Sequence, residues 1–162
     1  MPEAELSAID RNKLVVAEYV GEFWGKGNTD VVDTLCSDDI VSDCPLHGRR
    51  EGKAEVKKML TDFRAAFPSF KIRPYGAIPM IAEHNYVVVR WLGGGQHTGV
   101  AFDDLPIGRL PKNTGKMVEF SGTTIYTLED GKIVEEIAEE GALTALQQLA
   151  ILGSEDTQMN NK

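Results

Sequence analysis

The chain has 162 residues, 42% hydrophobic and 26% charged, and 17 Lys and Arg against 25 Asp and Glu give a formal net charge of −8. This length fits one domain, and the apolar share supplies a core that a disordered chain would lack. An excess of carboxylates repels a phosphate backbone, so nucleic acid is not expected as a partner. No run approaches the roughly 20 apolar residues of a bilayer span, because charges such as Glu18 and Arg90 interrupt each one. The opening MPEAELSAIDRNK lacks the basic and apolar stretches of a secretory signal. Cys36 and Cys44 match no zinc spacing and read as reduced thiols, so a cytoplasmic protein is expected.

In chain order, Ser7 and Asp10 form a weak capping box, and Val16, Tyr19, Val20 and Phe23 recur at helical spacing. They predict a helix from about residue 8 to Trp24, closed by Gly25 and Gly27. Asn28 to Asp30 cap a short second helix over Val31 to Leu35, which Asp38 and Asp39 close. An irregular piece spans Cys44 to Gly52. Lys53 to Phe67 then places Val56, Met59, Leu60, Phe63 and Phe67 on one face, with Pro68 as the stop.

Five strand segments follow: Phe70 to Ile81 with interruptions at Pro74 and Pro79, Tyr86 to Leu92, Gln96 to Phe102, Lys116 to Leu128, and Ile133 to Glu140. Gly93-Gly94-Gly95 reads as a bulge or sharp bend, Glu83-His84-Asn85 as a turn and Asp130-Gly131 as a hairpin. Ala142 to Leu149 is a closing apolar turn or helix. Residues 1–8 and 153–162 read as flexible ends around one domain over 9–152. Helices first and antiparallel strands afterwards define an α+β architecture, a curved sheet packed on its helices.

Several segments in this order resemble the SnoaL-like polyketide cyclases, also called ester cyclases, of the nuclear-transport-factor-like cone fold. They are Ser37-Asp38-Asp39-Ile40-Val41, Ala66-Phe67-Pro68, Arg90-Trp91, Gln96-His97-Thr98-Gly99, Asn113-Thr114-Gly115-Lys116 and, most specifically, Asp130-Gly131-Lys132-Ile133-Val134-Glu135. The resemblance implies three helices on a bent sheet around a pocket, a homodimer formed through the sheet, and acid/base chemistry on polyketide rings without metal or nucleotide. It also admits the fungal relatives that isomerise or hydrolyse meroterpenoid or xanthone intermediates. Counted from Lys132-Ile133, the family's Trp falls on Ile137 and its catalytic Asp on Gly141, so the acid/base group would come from Glu139 or Glu140.

Alternation along the last strand puts Ile133, Glu135, Ile137 and Glu139 on one side. If the two isoleucines face the interior, Glu135 and Glu139 share it, and burial would raise their carboxyls into a range useful for proton transfer. The other reading is a solvated acidic edge. His97 either polarises a carbonyl or ties a loop to the sheet; His47 and His84 are weaker candidates, and the three histidines share no metal-ligand spacing.

Asp43 is a second possible carboxylate or a turn former beside Pro45. Arg90 in an apolar strand needs a carboxylate partner or a substrate oxyanion. Tyr19, Phe23, Phe63, Phe67, Trp91, Phe120 and Tyr126 supply aromatic surface, as core or as the wall of a pocket for a small hydrophobic, oxygenated substrate. Asp103 to Lys112 is a lid or a plain connection. The functions open at this point are a cyclase or isomerase, a non-catalytic small-molecule-binding or dimerisation module, and a hydrolase or a dehydratase on the same cone, the dehydratase using His97 with Asp43.

Overall fold

A computed structural model describes residues 5–152. The expected flexible ends fall outside these residues except for 5–8. Ser7 Oγ accepts the Asp10 N–H at 3.1 Å and starts α1, Ala8–Tyr19, an N-cap worth about 1 kcal/mol. The expected single helix to Trp24 changes winding at Val20, and residues Val20–Lys26 form a π-helical segment that Gly27 closes at φ 76°. Wide turns of this kind concentrate at functional sites because they shift the facing of the side chains beyond them. Two further helices are α2, Val31–Leu35, and α3, Lys53–Ala66. A fourth, α4 (Ala142–Gln148), follows the sheet, so the helices are not confined to the N-terminal half.

The sheet has seven strands: β1 Cys36–Asp43, β2 Arg50–Glu51, β3 Lys71–Pro74, β4 Ile81–Glu83, β5 Tyr86–Gln96, β6 Met117–Glu129 and β7 Lys132–Glu140. Their order is β2-β1-β7-β6-β5-β3, with β4 also on β5, and the sheet is open. It is mixed because β1 runs parallel to β7 while all other pairs are antiparallel. The cone is therefore a curved open sheet covered on its inner face by helices.

Three sequence expectations change here. The sequence predicts no strand before Phe70, yet β1 follows α2 directly, disguised by the exposed Asp38 and Asp39 although Cys36, Ile40 and Ser42 point inward, and the piece expected to be irregular over Cys44 to Gly52 contains β2. Gln96 to Phe102 is not a strand; β5 ends at Gln96, and the following segment carries one isolated bridge, Phe102 with Leu110. The three glycines neither bulge nor bend, since β5 and β6 keep unbroken register from Tyr86 with Thr127 to Gln96 with Met117. A Cβ on Gly95 would stand 2.7 Å from the Phe70 Cα, so close approach of two backbones is what glycine permits there. Pro74 and Pro79 flank the gap between β3 and β4, as expected.

The core lies between the helices and the inner face of the sheet. Phe63 of α3 packs on Phe67, Phe70 and Phe102 with ring centroids 4.8 to 5.8 Å apart. Tyr19 stacks on Phe23 at 4.8 Å. Fully burying side chains of this size stabilises by roughly 1.5–3 kcal/mol each.

Candidate active site

The site is set by a fault in the alternation of β7. Leu128 of β6 faces Ile133, and Thr127 faces Glu135, so Val134 has no partner on β6. This β-bulge advances the strand by one residue, and every side chain after it changes face. Ile133 is buried, but Ile137 is 41% exposed, and Glu136 is 3% exposed. Glu136 and Glu140 therefore turn inward, whereas Glu135 and Glu139 join the outer row with Ile137, Thr127 and Thr123. The expectation that Glu135 and Glu139 occupy the interior is corrected by this single extra residue.

Glu136 sits where α1, the π-helical segment, β1 and β7 meet. Its Oε1 accepts from the Ser42 hydroxyl at 2.7 Å and from the Tyr19 hydroxyl at 3.1 Å, and its Oε2 accepts from the Trp24 indole N–H at 3.2 Å. Burial pushes this carboxyl up, the three donors oppose that, and Glu140 adds to the rise. Oε2, with one donor, keeps capacity for a proton. The neighbouring Tyr19 and Tyr126 hydroxyls are held well above the usual phenol range by burial and then by the Glu136 charge. Glu140 Oε1 accepts the Leu46 N–H at 2.9 Å. Burial raises its carboxyl too, against the Leu46 N–H and a hydrogen bond with the Cys44 thiol.

His47 completes the inner face. Its ring lies against Trp24 at 6.3 Å and edge-on to Phe63 at 4.9 Å. It is buried, and its Nδ1 has no hydrogen-bond partner. Burial lowers it to about 4, with Asp104 opposing and Arg50 assisting. The imidazole is thus neutral at pH 7, with its Nδ1 left unpartnered beside the chamber. Arg50 anchors this residue by donating to the His47 carbonyl at 2.6 and 3.1 Å while pairing with Asp104 at 2.5 Å.

Glu136, Glu140, His47, Ser42, Cys44 and Thr124 line one chamber, whose apolar walls include Trp24, Phe70, Trp91 and Phe120. Its free interior is about 30 Å³, while the whole recess, counting space open to solvent, is about 490 Å³. The interior alone is the room of a water molecule or a small head group. Trp91 is held in the wall by its N–H, which donates to Thr124 Oγ1 at 2.8 Å. Gly122 makes room for it: a Cβ there would stand 2.3 Å from the indole.

The remaining predicted residues divide cleanly. Trp91, Phe120 and Tyr126 line the chamber. Tyr19 reaches it through Glu136, and Phe23, Phe63 and Phe67 are core. Asp43 lies at the chamber edge, with Arg49 at 3.8 Å and an exposed side chain. Arg90 is outside the chamber; it donates to Ser121 Oγ at 3.0 Å and lies 4.8 Å over the Tyr75 ring.

His97 is fully buried but not in the chamber: Nε2 meets the Val100 carbonyl at 2.8 Å and Nδ1 meets Thr114 Oγ1 at 2.8 Å. It ties down the 97–116 segment, the structural one of its two expected roles, and shares no cavity with Asp43. His47 is the residue that sequence reasoning undervalued; only its place after Cys44-Pro45, in a segment bordering a pocket, could have drawn attention to it. At Gly141, where the family's Asp would stand, the backbone instead enters α4. Among the described residues no group of three or more His, Cys, Asp or Glu is arranged to hold a metal ion, and no helix is long and apolar enough to cross a membrane.

Solved structures share this fold. A protein of Jannaschia sp. CCS1 assigned as a SnoaL-like polyketide cyclase superposes with a TM-score of 0.74 at 22% identity, covering 91% of this chain and 98% of its own. One from Acidithiobacillus ferrooxidans, assigned as a polyketide cyclase, gives 0.70 at 25% identity with 90% and 99% coverage. AclR of Streptomyces galilaeus, assigned as a hydroxylase, gives 0.71 at 22% identity with 91% and 89% coverage. No match was found among curated proteins. The family model for SnoaL-like polyketide cyclases matches residues 14–149, which contain the whole chamber, and the chain belongs to that family.

Proposed function

We propose that the protein is a cyclase or isomerase that acts by proton transfer on a polyketide or meroterpenoid intermediate, with Glu140 and Glu136 as the carboxyl groups and neutral His47 as their partner. The observation that carries this reading is the inward pair Glu136 and Glu140 beside an unpartnered buried imidazole in an apolar chamber. A carboxyl raised by burial holds and gives up a proton more usefully as a general acid or base than an ordinary glutamate does, and a neutral imidazole takes or returns the second proton. In cyclisation or isomerisation a proton leaves carbon beside a carbonyl. The Tyr126 hydroxyl stands in the same wall to donate to the developing enolate oxygen, while the Ser42 hydroxyl is committed to Glu136.

The reading is tested by deuterium wash-in at the carbon beside the carbonyl of α-tetralone, an aromatic ketone small enough to present its head group to the chamber. Wild type should accelerate wash-in over buffer, and Glu140→Gln, which keeps the Leu46 contact through its amide oxygen, should remove the acceleration. Wash-in at the buffer rate with wild type would refute the proton-transfer reading. Tight ligand binding without wash-in would favour the non-catalytic module, a reading to which the small free interior lends support.

Homodimer formation through the outer face of the sheet is part of the same proposal. Ile81, Val88, Ile125 and Ile137 are register partners across β4, β5, β6 and β7 and form one apolar row. Three of them, Ile81, Ile125 and Ile137, are exposed. A second copy of the same face would cover this row isologously.

A further inference from the structure

His47 stands in the turn between β1 and β2, and that turn has little backbone pairing of its own. β2 meets β1 at two positions, Val41 with Glu51 and Ser42 with Arg50. Gly48 closes the turn at φ 71°, with its N–H on the Cys44 carbonyl at 2.8 Å. From the chamber side Glu140 accepts the Leu46 N–H. From the other side Arg50 Nε and Nη2 both donate to the His47 carbonyl, and Nη2 also donates to Asp104 Oδ1.

Asp104 lies far along the chain on a braced loop. Phe102 and Leu110 exchange both backbone hydrogen bonds, at 3.0 and 2.7 Å, and close the residues between them. The Gly99 and Val100 N–H groups donate to the Ala66 and Ala65 carbonyls of α3 at 3.0 and 3.1 Å. A Cβ on Gly99 would stand 1.8 Å from the Ala65 oxygen, so glycine is what admits this approach. His97 fastens the same segment at Val100 and Thr114. The stretch from Asp103 to Lys112, a lid or a plain connection by sequence, therefore belongs to an anchored strap, and Asp104 carries the ion pair that joins it to the His47 turn.

We propose that Asp104 and Arg50 are a positioning pair for the active site: the strap holds Asp104, Asp104 orients the Arg50 guanidinium, and Arg50 fixes the His47 carbonyl so that the imidazole stays against the chamber with Nδ1 unpartnered. The planar fork of the guanidinium suits this task, because it fixes direction as well as distance on two acceptors at once. Both residues act through His47. Their hold on the ring stands on the contacts above, and its consequence for catalysis rests on the acid/base reading.

The test is the titration of the His47 imidazole, followed by nitrogen NMR on labelled protein with exposed His84 as the reference. Burial holds His47 at about 4, and the charged groups that act on it are Asp104, which favours the protonated ring, and Arg50, which opposes it. Electrostatics alone would make loss of the Asp104 charge lower the inflection further. Release of the turn has the opposite sign: Asp104→Ala should raise the inflection toward the ordinary imidazole value of about 6.5, because water reaches the ring and burial is the largest influence on it. Asp104→Asn keeps an oxygen for the guanidinium and should leave the inflection at or below the wild-type value. Both side chains of the pair are partly exposed, so neither variant strands a buried charge.

An inflection that stays or falls in Asp104→Ala, or that rises equally in Asp104→Asn, would overturn the positioning pair. In the α-tetralone assay Asp104→Ala should lower kcat by about tenfold, and Asp104→Asn should stay within about threefold of wild type. Undiminished wash-in beside a raised imidazole would remove His47 from the reaction and leave the pair standing. Reduced wash-in with an unmoved imidazole would refute the pair and leave proton transfer in place.

Discussion

Glu136 and Glu140 on the inner face of β7, and Glu135 and Glu139 on its outer face, are the same side chain placed within one strand of nine residues. The inner pair meets aromatic walls, a few donors and little water, and its carboxyls are pushed up by burial. The outer pair lies beside threonines and solvent. What separates them is the solvent on each face, and the device that assigns each residue to a face is the unpaired Val134. The two buried histidines show the same lesson in another form. His97 has both ring nitrogens engaged and belongs to the scaffold, whereas His47, with Nδ1 unpartnered, belongs to the chamber.

The comparison breaks most sharply on activity. In the α-tetralone assay, removal of a general acid or base typically costs about 10²- to 10⁴-fold, so Glu140→Gln should fall by that order while Glu139→Gln and Glu135→Gln stay within about twofold. Equal losses on the two faces would show that the strand's phase does not select the acid/base groups.

Stability comes next. Glu136→Ala strands the Tyr19, Trp24 and Ser42 donors in a buried setting and should cost about 3 kcal/mol in urea unfolding. Glu135→Ala should change stability by no more than about 0.5 kcal/mol.

The histidines sharpen the contrast through pH. His47 is lowered to about 4 in the folded chain, while an unfolded imidazole titrates near about 6.5. The unfolded state therefore binds the extra proton first, and stability falls as pH drops from about 6.5 to about 4, by up to about 3 kcal/mol. His47→Phe should remove that portion of the acid loss and leave stability at pH 8 within about 1 kcal/mol. His97→Ala should instead cost about 2 kcal/mol at pH 8, since it orphans Thr114 Oγ1 and the Val100 carbonyl. The inner glutamates run the other way: their raised carboxyls favour folding at low pH and lose that contribution as pH rises through them.

The smallest effect is expected on the outer face itself. Ile125→Lys with Ile137→Lys should leave the fold intact and shift the mass measured by light scattering from dimer to monomer. An unchanged mass would remove the apolar row as an interface.

Much of this was legible in the sequence because the signals were periodic. Ser7 and Asp10 mark the start of α1, the Val56–Phe67 stripe marks α3, and Asp130-Gly131 adopts φ of 50° and 76° in the β6–β7 turn. What escaped was whatever depends on one residue more or less, or on a partner far along the chain. The bulge at Val134 leaves no compositional trace, yet it exchanges Glu135 and Glu139 for Glu136 and Glu140. The change of winding at Val20 is equally silent, although it brings Val20 and Trp24 to the chamber. Parallel β1 was hidden because its exposed aspartates break the alternation. His47 acquires its character from Trp24, Phe63 and Arg50, which no local pattern joins to it.

The most direct measurement is the titration of the individual glutamate side-chain carboxyls, followed by carbon NMR on selectively labelled protein. Glu136 and Glu140 should show inflections above the ordinary glutamate value of about 4.3, and the Glu136 inflection should move downward when Glu140→Gln removes the charge that helps to raise it. Inflections at or below that value for both residues would mean that the chamber keeps them ionised and solvated, which contradicts the proton-transfer account.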